Sequence, residues 1–180
     1  MDPAHERNTT LATLQAAAIS LEQSLNIRLI PPEGISFGFA IRGARDTRGV
    51  AVVNSGVKNS TGGRVAAGPC AFGTDAPVAR IILTVMKFDP VMRSAALLQF
   101  SERALEVFNN DLFLECALLD TTSKNQGIST MDWDIASCCN EGIPDVIIKK
   151  GTSAKESRII LFGESPADVA NNIIICSNRI

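Results

Sequence analysis

The stretch Asp75-Ala-Pro-Val-Ala-Arg-Ile-Ile-Leu-Thr-Val-Met-Lys-Phe88 joins a helix start to an almost continuously apolar run. Asp75 can cap a helix, and Pro77 suits a first turn because the N–H that proline lacks would be unpaired there anyway. Arg80 and Lys87 are the only charges within residues 78–88. Apolar periodicity alone fits a buried helix or a core strand. The capped start favours the helix, so we expect a buried helix here.

Alternating sequence ahead of this helix predicts two strands. Ile35, Phe37, Phe39 and Ile41 are separated by small residues, which is the period of two of a half-buried strand. Residues 50–53 predict a second strand, after a turn at residues 46–49.

Residues 54–73 are rich in glycine and small polar residues, with Lys58 and Arg64 among them. They fit a surface loop, or two strands joined by a Gly62-Gly63 turn. They also fit an anion cradle, because glycine lets backbone N–H groups approach a phosphate. The pattern is neither a P-loop nor a dinucleotide-binding fingerprint.

The rest of the chain interleaves helices and strands irregularly. We expect a flexible arm at residues 1–8 and a single domain over residues 9–180, which begins with a helix to residue 25. Apolar patterns predict strands at 94–100, 112–119, 143–148 and 158–162, and helices at 101–109, 130–139 and 165–176. This alternation, without repeats or a linker, predicts a layered α/β domain with a mixed sheet.

Composition excludes several classes of function. The chain has 180 residues, 46% of them hydrophobic, and a net charge of -2, which is not the electrostatic signature of nucleic-acid or membrane binding. No apolar run reaches the roughly 18–20 residues of a membrane span. The five cysteines form no CxxC pair and no secretory segment precedes them, which predicts free thiols in the reducing cytoplasm.

Histidine is the scarcest potential catalyst. His5 is the only one, and it lies in the polar N-terminal segment. A histidine zinc site, a Ser-His-Asp triad and a Cys-His pair each need an imidazole held in a cleft, so all three are disfavoured. Acid–base chemistry would have to come from carboxylates, lysine, cysteine or the substrate.

Four segments in register carry a resemblance to a known family. They are Phe72-Gly73 with Val78-Ala79-Arg80, then Met86-Lys-Phe-Asp-Pro90 with Arg93, then Ser129-Thr-Met-Asp-Trp133, then Pro144-Asp-Val-Ile147 with Gly151 and Lys155-Glu156. Together they resemble the ThiN-type thiamine-phosphate synthase domain, which is often fused behind a hydroxymethylpyrimidine phosphate kinase. The resemblance covers nearly the whole chain.

The resemblance implies a fold and a reaction. The fold is a three-layer α/β/α arrangement with a mixed sheet, similar to the class II aldolase/adducin-like domain. The reaction joins hydroxymethylpyrimidine diphosphate to hydroxyethylthiazole phosphate, giving thiamine phosphate and pyrophosphate. Positive groups and N–H donors must stabilise the departing pyrophosphate, and both substrates must be held in line.

Site residues follow from the same resemblance. We expect catalytic roles for Lys58 and Arg80, and substrate binding by Gly73, Thr74, Asp75, Lys87, Arg93, Met131, Trp133, Asp145, Lys155 and Glu156. Simpler roles compete for some of them. Arg80 and Lys87 could equally pair with an internal carboxylate such as Asp145, and Lys155-Glu156 could be a solvated ion pair.

The partners expected are a phosphorylated pyrimidine or thiazole compound and a second copy of the chain in a homodimer, with neither nucleic acid nor membrane. No cofactor is required by the motifs, and a need for Mg is left open.

The chain departs from the family at charged positions. Pro77 stands where the family has a histidine before Val-Ala-Arg, and a family arginine falls at about Val57, beside Lys58. Gln99 replaces another arginine, and Thr121-Thr122 replaces an arginine pair. Three functions therefore stay open: a synthase, a sensor-like paralogue that binds a phosphorylated precursor or thiamine phosphate without turnover, and an interaction scaffold that binds no ligand.

Overall fold

A computed structural model describes residues 3–59, 64–120, 131–139 and 141–180, the side chains of residues 120 and 131–134 excepted. The helices are α1 (Pro3–Ser24), α2 (Pro77–Met86), α3 (Glu102–Glu106), α4 (Met131–Cys138) and α5 (Pro166–Arg179). The strands are β1 (Ser36–Ala40), β2 (Val50–Val53), β3 (Val57–Asn59), β4 (Val65–Ala67), β5 (Cys70–Phe72), β6 (Ser94–Gln99), β7 (Cys116–Asp120), β8 (Val146–Lys150) and β9 (Arg158–Gly163).

Seven strands form one sheet in the order β5-β2-β1-β6-β9-β8-β7. β7 and β8 are parallel, and the other described neighbours in this sheet are antiparallel. β3 and β4 form a separate antiparallel pair. The mixed sheet is the one that the sequence predicts.

Apolar clusters lie on both faces of the sheet. Along β9, Ile159 and Leu161 belong to a cluster that includes Leu14 and Leu21 of α1. The intervening Ile160 belongs to a second cluster, which includes residues of α2 and α4. Because strand side chains alternate between faces, α1 and α5 cover one face and α2 and α4 the other. The predicted three-layer α/β/α fold is therefore confirmed.

The buried helix expected after Pro77 is α2, and its sequence explains its placement. Pro77 occupies the first turn, and Val78, Ile81, Ile82 and Val85 are buried against the sheet. Gly38 of β1 permits this close approach, because a Cβ there would lie 3.0 Å from the Ile82 side chain. The cap predicted for α5 is also present, since the Ser165 hydroxyl accepts a hydrogen bond from the Asp168 N–H at 3.3 Å.

Several local predictions are corrected. Residues 3–8, expected to be a flexible arm, form the first turns of α1. Residues 54–73 contain β3 and β4, which confirms the two-strand alternative, but β5 was not predicted. The expected Gly62-Gly63 turn lies outside the described residues, as do residues 121–129 of the expected polar loop. No helix in the described part of the chain is long and apolar enough to cross a bilayer.

Candidate functional site

The connection from β5 to α2 gathers several of the predicted site residues. Gly73 has a φ of +83°, which favours glycine, and its N–H donates to the Thr47 carbonyl at 3.0 Å. The next residue, Thr74, donates its hydroxyl hydrogen to Asn54 Oδ1 at 3.1 Å. This connection is therefore tied to the 47–49 turn and to the turn that follows β2. A Cβ on Gly73 would meet no atom within 4 Å, so the space beside it is open.

The turn after β2 is held by close backbone packing. Ser55 and Gly56 both have positive φ angles, +62° and +69°. The Asn54 N–H donates to the Pro69 carbonyl at 2.8 Å, and Gly68 lies so close that a Cβ there would be 1.9 Å from the Asn54 carbonyl oxygen. Packing thus positions Asn54, a residue that the sequence analysis did not identify as part of the site.

Asp75 and Arg80 form an exposed ion pair at the start of α2. Arg80 Nε donates to Asp75 Oδ1 at 3.0 Å, and a terminal guanidinium nitrogen donates to Oδ2 at 3.1 Å. The two side chains are 59% and 68% exposed, so solvent or a ligand can reach both. The expected cap is wrong, and the carboxylate that pairs with Arg80 is not the one suggested as an example. Ala76, not Asp75, is the N-cap of α2, and Arg80 pairs with Asp75 rather than Asp145.

Imidazole chemistry has no support at this position. Pro77 is the first residue of α2. It occupies the position at which the resemblance implies a histidine in the family. The one histidine of the chain, His5, is exposed on α1. The groups that the structure places at the start of α2 are the Arg80 guanidinium, the Asp75 carboxylate, and hydroxyl and amide groups such as those of Thr74 and Asn54.

Lys58 and Lys87 lie apart from this connection. Lys58 is exposed on β3 and lines a depression of about 290 Å³ together with Asn59, Ile27 and residues 30–32. Lys87 is exposed and caps the opposite end of α2, about 15 Å along the axis of a ten-residue helix. The structure places neither beside Asp75 and Arg80, and their expected roles stay predictions.

Arg93 occupies a half-buried position at the start of β6. Its guanidinium lies over the Phe39 ring, 4.7 Å from the centroid, and donates to the Ala40 carbonyl at 3.1 Å. Burial lowers the pKa of Arg93, and the nearby positive charge of Arg42 lowers it further, while Glu6 acts in the opposite direction.

Asp145 forms hydrogen bonds with backbone N–H groups in and beside neighbouring strands and no ion pair with Arg80. Its Oδ2 accepts the Glu115 N–H at 2.9 Å, just before β7, and its carbonyl accepts the Phe162 N–H at 2.9 Å. Asp145 therefore fixes the start of the β7–β8 pair. The role in substrate binding expected of Asp145 stays a prediction.

Lys155 and Glu156 lie exposed in a short 3-10 turn, residues 154–156. The Glu156 carboxylate accepts a hydrogen bond from the Thr152 hydroxyl. Met131 and Trp133 begin α4, but their side chains lie outside the described residues.

Arg158 is an ordered cation that the sequence analysis missed. Its side chain is only 17% exposed and donates three hydrogen bonds to the Glu33 carboxylate at 2.6–3.0 Å. It also donates to the Lys155 carbonyl at 2.7 Å and to Gln99 Oε1 at 3.4 Å. Gln99, which replaces a family arginine, is thus part of this network. An arginine at a strand start gives no sequence signal for such a role.

Metal ligands and thiols are the remaining reactive groups of the described residues. Within the described ranges, no group of three or more His, Cys, Asp or Glu side chains could hold a metal ion. All five cysteines are free thiols. Burial raises the pKa values of Cys70 and Cys139 to about 11, which keeps both neutral and poorly nucleophilic near pH 7.

Known proteins resemble this chain in sequence and fold. Residues 13–175 match the family described as thiamine-phosphate synthase ThiN. The bifunctional thiamine biosynthesis protein ThiDN of Methanocaldococcus jannaschii is 26% identical over 159 residues. That alignment covers 87% of this chain and 38% of the relative, so the chain spans less than half of that protein's length.

Two solved structures support the same fold. The C-terminal domain of a phosphomethylpyrimidine kinase superposes with a TM-score of 0.84 and 27% identity, over 95% of this chain and all of that one (100%). The l-fuculose-1-phosphate aldolase of Thermus thermophilus superposes with a TM-score of 0.54 and 14% identity, over 96% and 92% of the two chains. The second likeness concerns the fold alone and confirms the expected similarity to class II aldolases.

Proposed function

Because the chain belongs to the ThiN family of thiamine-phosphate synthases, we propose that it joins hydroxymethylpyrimidine diphosphate to hydroxyethylthiazole phosphate, beside the start of α2. The observation that carries this proposal is the arrangement of the family segment at residues 72–80. Gly73 is open to solvent, Thr74 is held by Asn54, and Arg80 is exposed at the same place. A guanidinium beside open backbone suits a phosphorylated ligand.

In the proposed reaction, the bonds break and form between the two substrates, and no protein side chain forms a covalent bond. The electron-rich pyrimidine helps expel pyrophosphate as the methylene C–O bond breaks, and the thiazole nitrogen lone pair forms the new bond to that methylene carbon. Arg80 would neutralise phosphate charge once it exchanges Asp75 for the ligand. Asn54 and Thr74 would supply neutral hydrogen-bonding groups, and positioning would provide much of the rate.

A second candidate is binding without turnover. Pro77 favours it, because the ring replaces the imidazole of the family at the residue that begins α2. A paralogue of this kind would sense thiamine phosphate or one of its phosphorylated precursors. Arg80 would keep its ligand contact, while the proton transfer or charge stabilisation supplied by an imidazole would be absent.

One pair of measurements separates the two candidates. Purified protein is titrated calorimetrically with thiamine phosphate and with each phosphorylated precursor, and then incubated with both activated substrates while thiamine phosphate is quantified. Product supports the synthase. Binding without product supports the sensor. The absence of both overturns both candidates and leaves the scaffold.

A proline replacement tests the missing imidazole directly. Pro77→His should raise the rate of thiamine phosphate formation at least about tenfold, since acid–base groups contribute roughly that much or more. Pro77→Ala is the matched control, because it also removes the ring but adds no imidazole. Equal rates for the two variants would show that an imidazole at this position does not limit the reaction.

The setting of the reaction is part of the same proposal. We place it in the cytoplasm, with a homodimer as the working form. Light scattering during size-exclusion chromatography tests the dimer, which a monomeric mass would contradict. Turnover measured with and without added Mg tests the metal requirement.

A further inference from the structure

Five arginines surround one end of the main sheet, and we call them the arginine cluster: Arg7, Arg42, Arg45, Arg48 and Arg93. Arg42 and Arg45 lie in the loop after β1, and Arg48 lies in the 3-10 turn before β2. Arg93 directly precedes β6, and its carbonyl accepts the N–H of Ala40, the last residue of β1, at 2.8 Å. Strand pairing therefore brings residues about fifty positions apart to the same end of the sheet.

Arg7 connects α1 to this end of the sheet. A terminal nitrogen of its guanidinium donates to the Arg48 carbonyl at 2.9 Å. The same guanidinium lies over the Phe72 ring, 4.0 Å from the centroid. Phe72 precedes Gly73, whose N–H donates to Thr47. The arginine cluster is thus adjacent to the connection that leads to α2.

Carboxylates near the cluster neutralise only part of its charge. Asp46 pairs with Arg48 at 2.8 Å, and Glu6 accepts the backbone N–H of Arg42 at 2.9 Å. The exposed side chains of Arg42 and Arg45 have no partner within the described residues. The contacts of Arg93 are a carbonyl and an aromatic ring, with no carboxylate ion pair in the described part of the chain. Positive charge therefore accumulates here, in a chain whose net charge is -2.

We propose that the arginine cluster binds a diphosphate group, at a site separate from Arg80. Guanidinium groups suit this ligand because each can donate two hydrogen bonds to phosphate oxygens. Arg93 is half-buried against Phe39, so part of the cluster is recessed and favours a compact anion. A nucleic acid fits poorly, because its long polyanion would also meet the negative remainder of the chain.

The source of the diphosphate rests on the proposed function. The pyrimidine substrate carries a diphosphate, and pyrophosphate is the product that leaves. Residues 72–75 contact both groups, since Arg7 lies over Phe72 and Arg80 pairs with Asp75, so the two sites would hold the two phosphorylated ends of the reaction. Affinity for inorganic pyrophosphate alone does not depend on that assignment.

Calorimetry with inorganic pyrophosphate at low ionic strength tests the site. The variant Arg42→Ala/Arg45→Ala changes two exposed side chains, so it should fold normally. Its dissociation constant should rise about tenfold or more, the loss expected from two charge-assisted contacts. The control Arg28→Ala/Arg103→Ala removes the same charge from exposed positions elsewhere, and we expect a change below about twofold.

The outcomes separate this inference from the proposed function. Absence of pyrophosphate binding to the unmodified protein, or equal losses in the two double variants, overturns the diphosphate site. Titration with thiamine phosphate, repeated with Arg80→Ala, tests the α2 site independently. If Arg42→Ala/Arg45→Ala loses pyrophosphate binding and the control variant does not, the diphosphate site is supported. This result holds even if thiamine phosphate does not bind and the proposed function is rejected.

Discussion

The ion pair with Asp75 limits how readily the Arg80 guanidinium can bind a phosphorylated ligand. The guanidinium is bound at two points by Asp75, and a phosphorylated ligand would have to displace that carboxylate. Because both side chains are more than half exposed, the pair stabilises the fold little. The pair therefore acts mainly as a competitor of the ligand.

Removing the competing carboxylate should strengthen ligand binding. We expect Asp75→Asn to lower the dissociation constant for thiamine phosphate by up to about fivefold, the equivalent of an exposed ion pair of about 1 kcal/mol. Asp111→Asn, which breaks the exposed pair with Arg179, is the matched control and should leave the affinity unchanged. Isothermal titration measures both. Weaker binding by Asp75→Asn would mean that the carboxylate itself contacts the ligand.

A second residue-scale prediction concerns the network around Arg158. Arg158→Met should lower the free energy of unfolding by about 2 kcal/mol, because it leaves several hydrogen bonds unmade at a largely buried side chain. Arg103→Met breaks the exposed pair with Glu106 and should cost no more than about 0.5 kcal/mol. Urea unfolding compares the two variants, and equal losses would contradict the structural role assigned to Arg158.

Sequence patterns could predict the position of Arg80 but not its partner. The expected helix start at residues 75–77 predicted α2, although apolar periodicity alone also fitted a core strand. The contact with Asp75 depends on the backbone conformation of the residues before α2. The periodicity of apolar residues carries no information about that conformation. Asn54 escaped prediction for the same reason, because packing against Gly68 and Pro69 positions it. The three arginines within residues 42–48 are visible in the sequence as a local concentration of positive charge. Their proximity to Arg7 and Arg93 depends on strand pairing, which the sequence patterns did not predict.

At the scale of elements, the turn after β2 and the start of α2 behave as one unit. The Thr74–Asn54 hydrogen bond joins them, and the close approach of Gly68 to Asn54 supports that bond. Strand and helix patterns predicted the flanking elements β2 and α2. They did not predict β5, because three residues are too few to show an alternation; the equally short β3 and β4 were suggested only by the Gly62-Gly63 turn between them.

A substitution at Gly68 tests this unit. A Cβ at this position would lie 1.9 Å from the Asn54 carbonyl oxygen, so Gly68→Ala must displace backbone and should cost about 3 kcal/mol of unfolding free energy. Gly43→Ala is the comparison, because its φ is +66° but no atom lies within 4 Å of the added Cβ. It should cost only about 1–2 kcal/mol. Chemical denaturation that ranks Gly43→Ala as the more damaging change would contradict this account.

For the whole molecule, composition and alternation were enough to predict an α/β domain with a mixed sheet, and the family resemblance added the three layers. The order of the strands was beyond the sequence patterns, since β6 pairs with β1 on one side and β9 on the other. Such pairings depend on long-range packing, and a strand's own residues specify its faces but not its neighbours.

Global stability should fall in alkaline solution because of a buried thiol. Cys176 is fully buried, and burial raises its pKa from 9.0 to about 12. Between these values the folded protein keeps a proton that the unfolded chain loses, so stability decreases as pH rises. The slope from one such group approaches about 1.4 kcal/mol per pH unit. Urea unfolding should show a shallower slope for Cys176→Ala, and an unchanged slope would refute the role of this thiol.

The position of β9 has a consequence for how the protein is made. β6 is complete by residue 99, but one of its two partners, β9, spans residues 158–163 and follows both β7 and β8. During synthesis on a ribosome, the middle of the sheet therefore presents an open apolar edge until β9 has emerged. Such an edge invites pairing with other nascent chains. Cells that make this protein quickly should therefore depend on chaperones that cover this edge until β9 pairs with it.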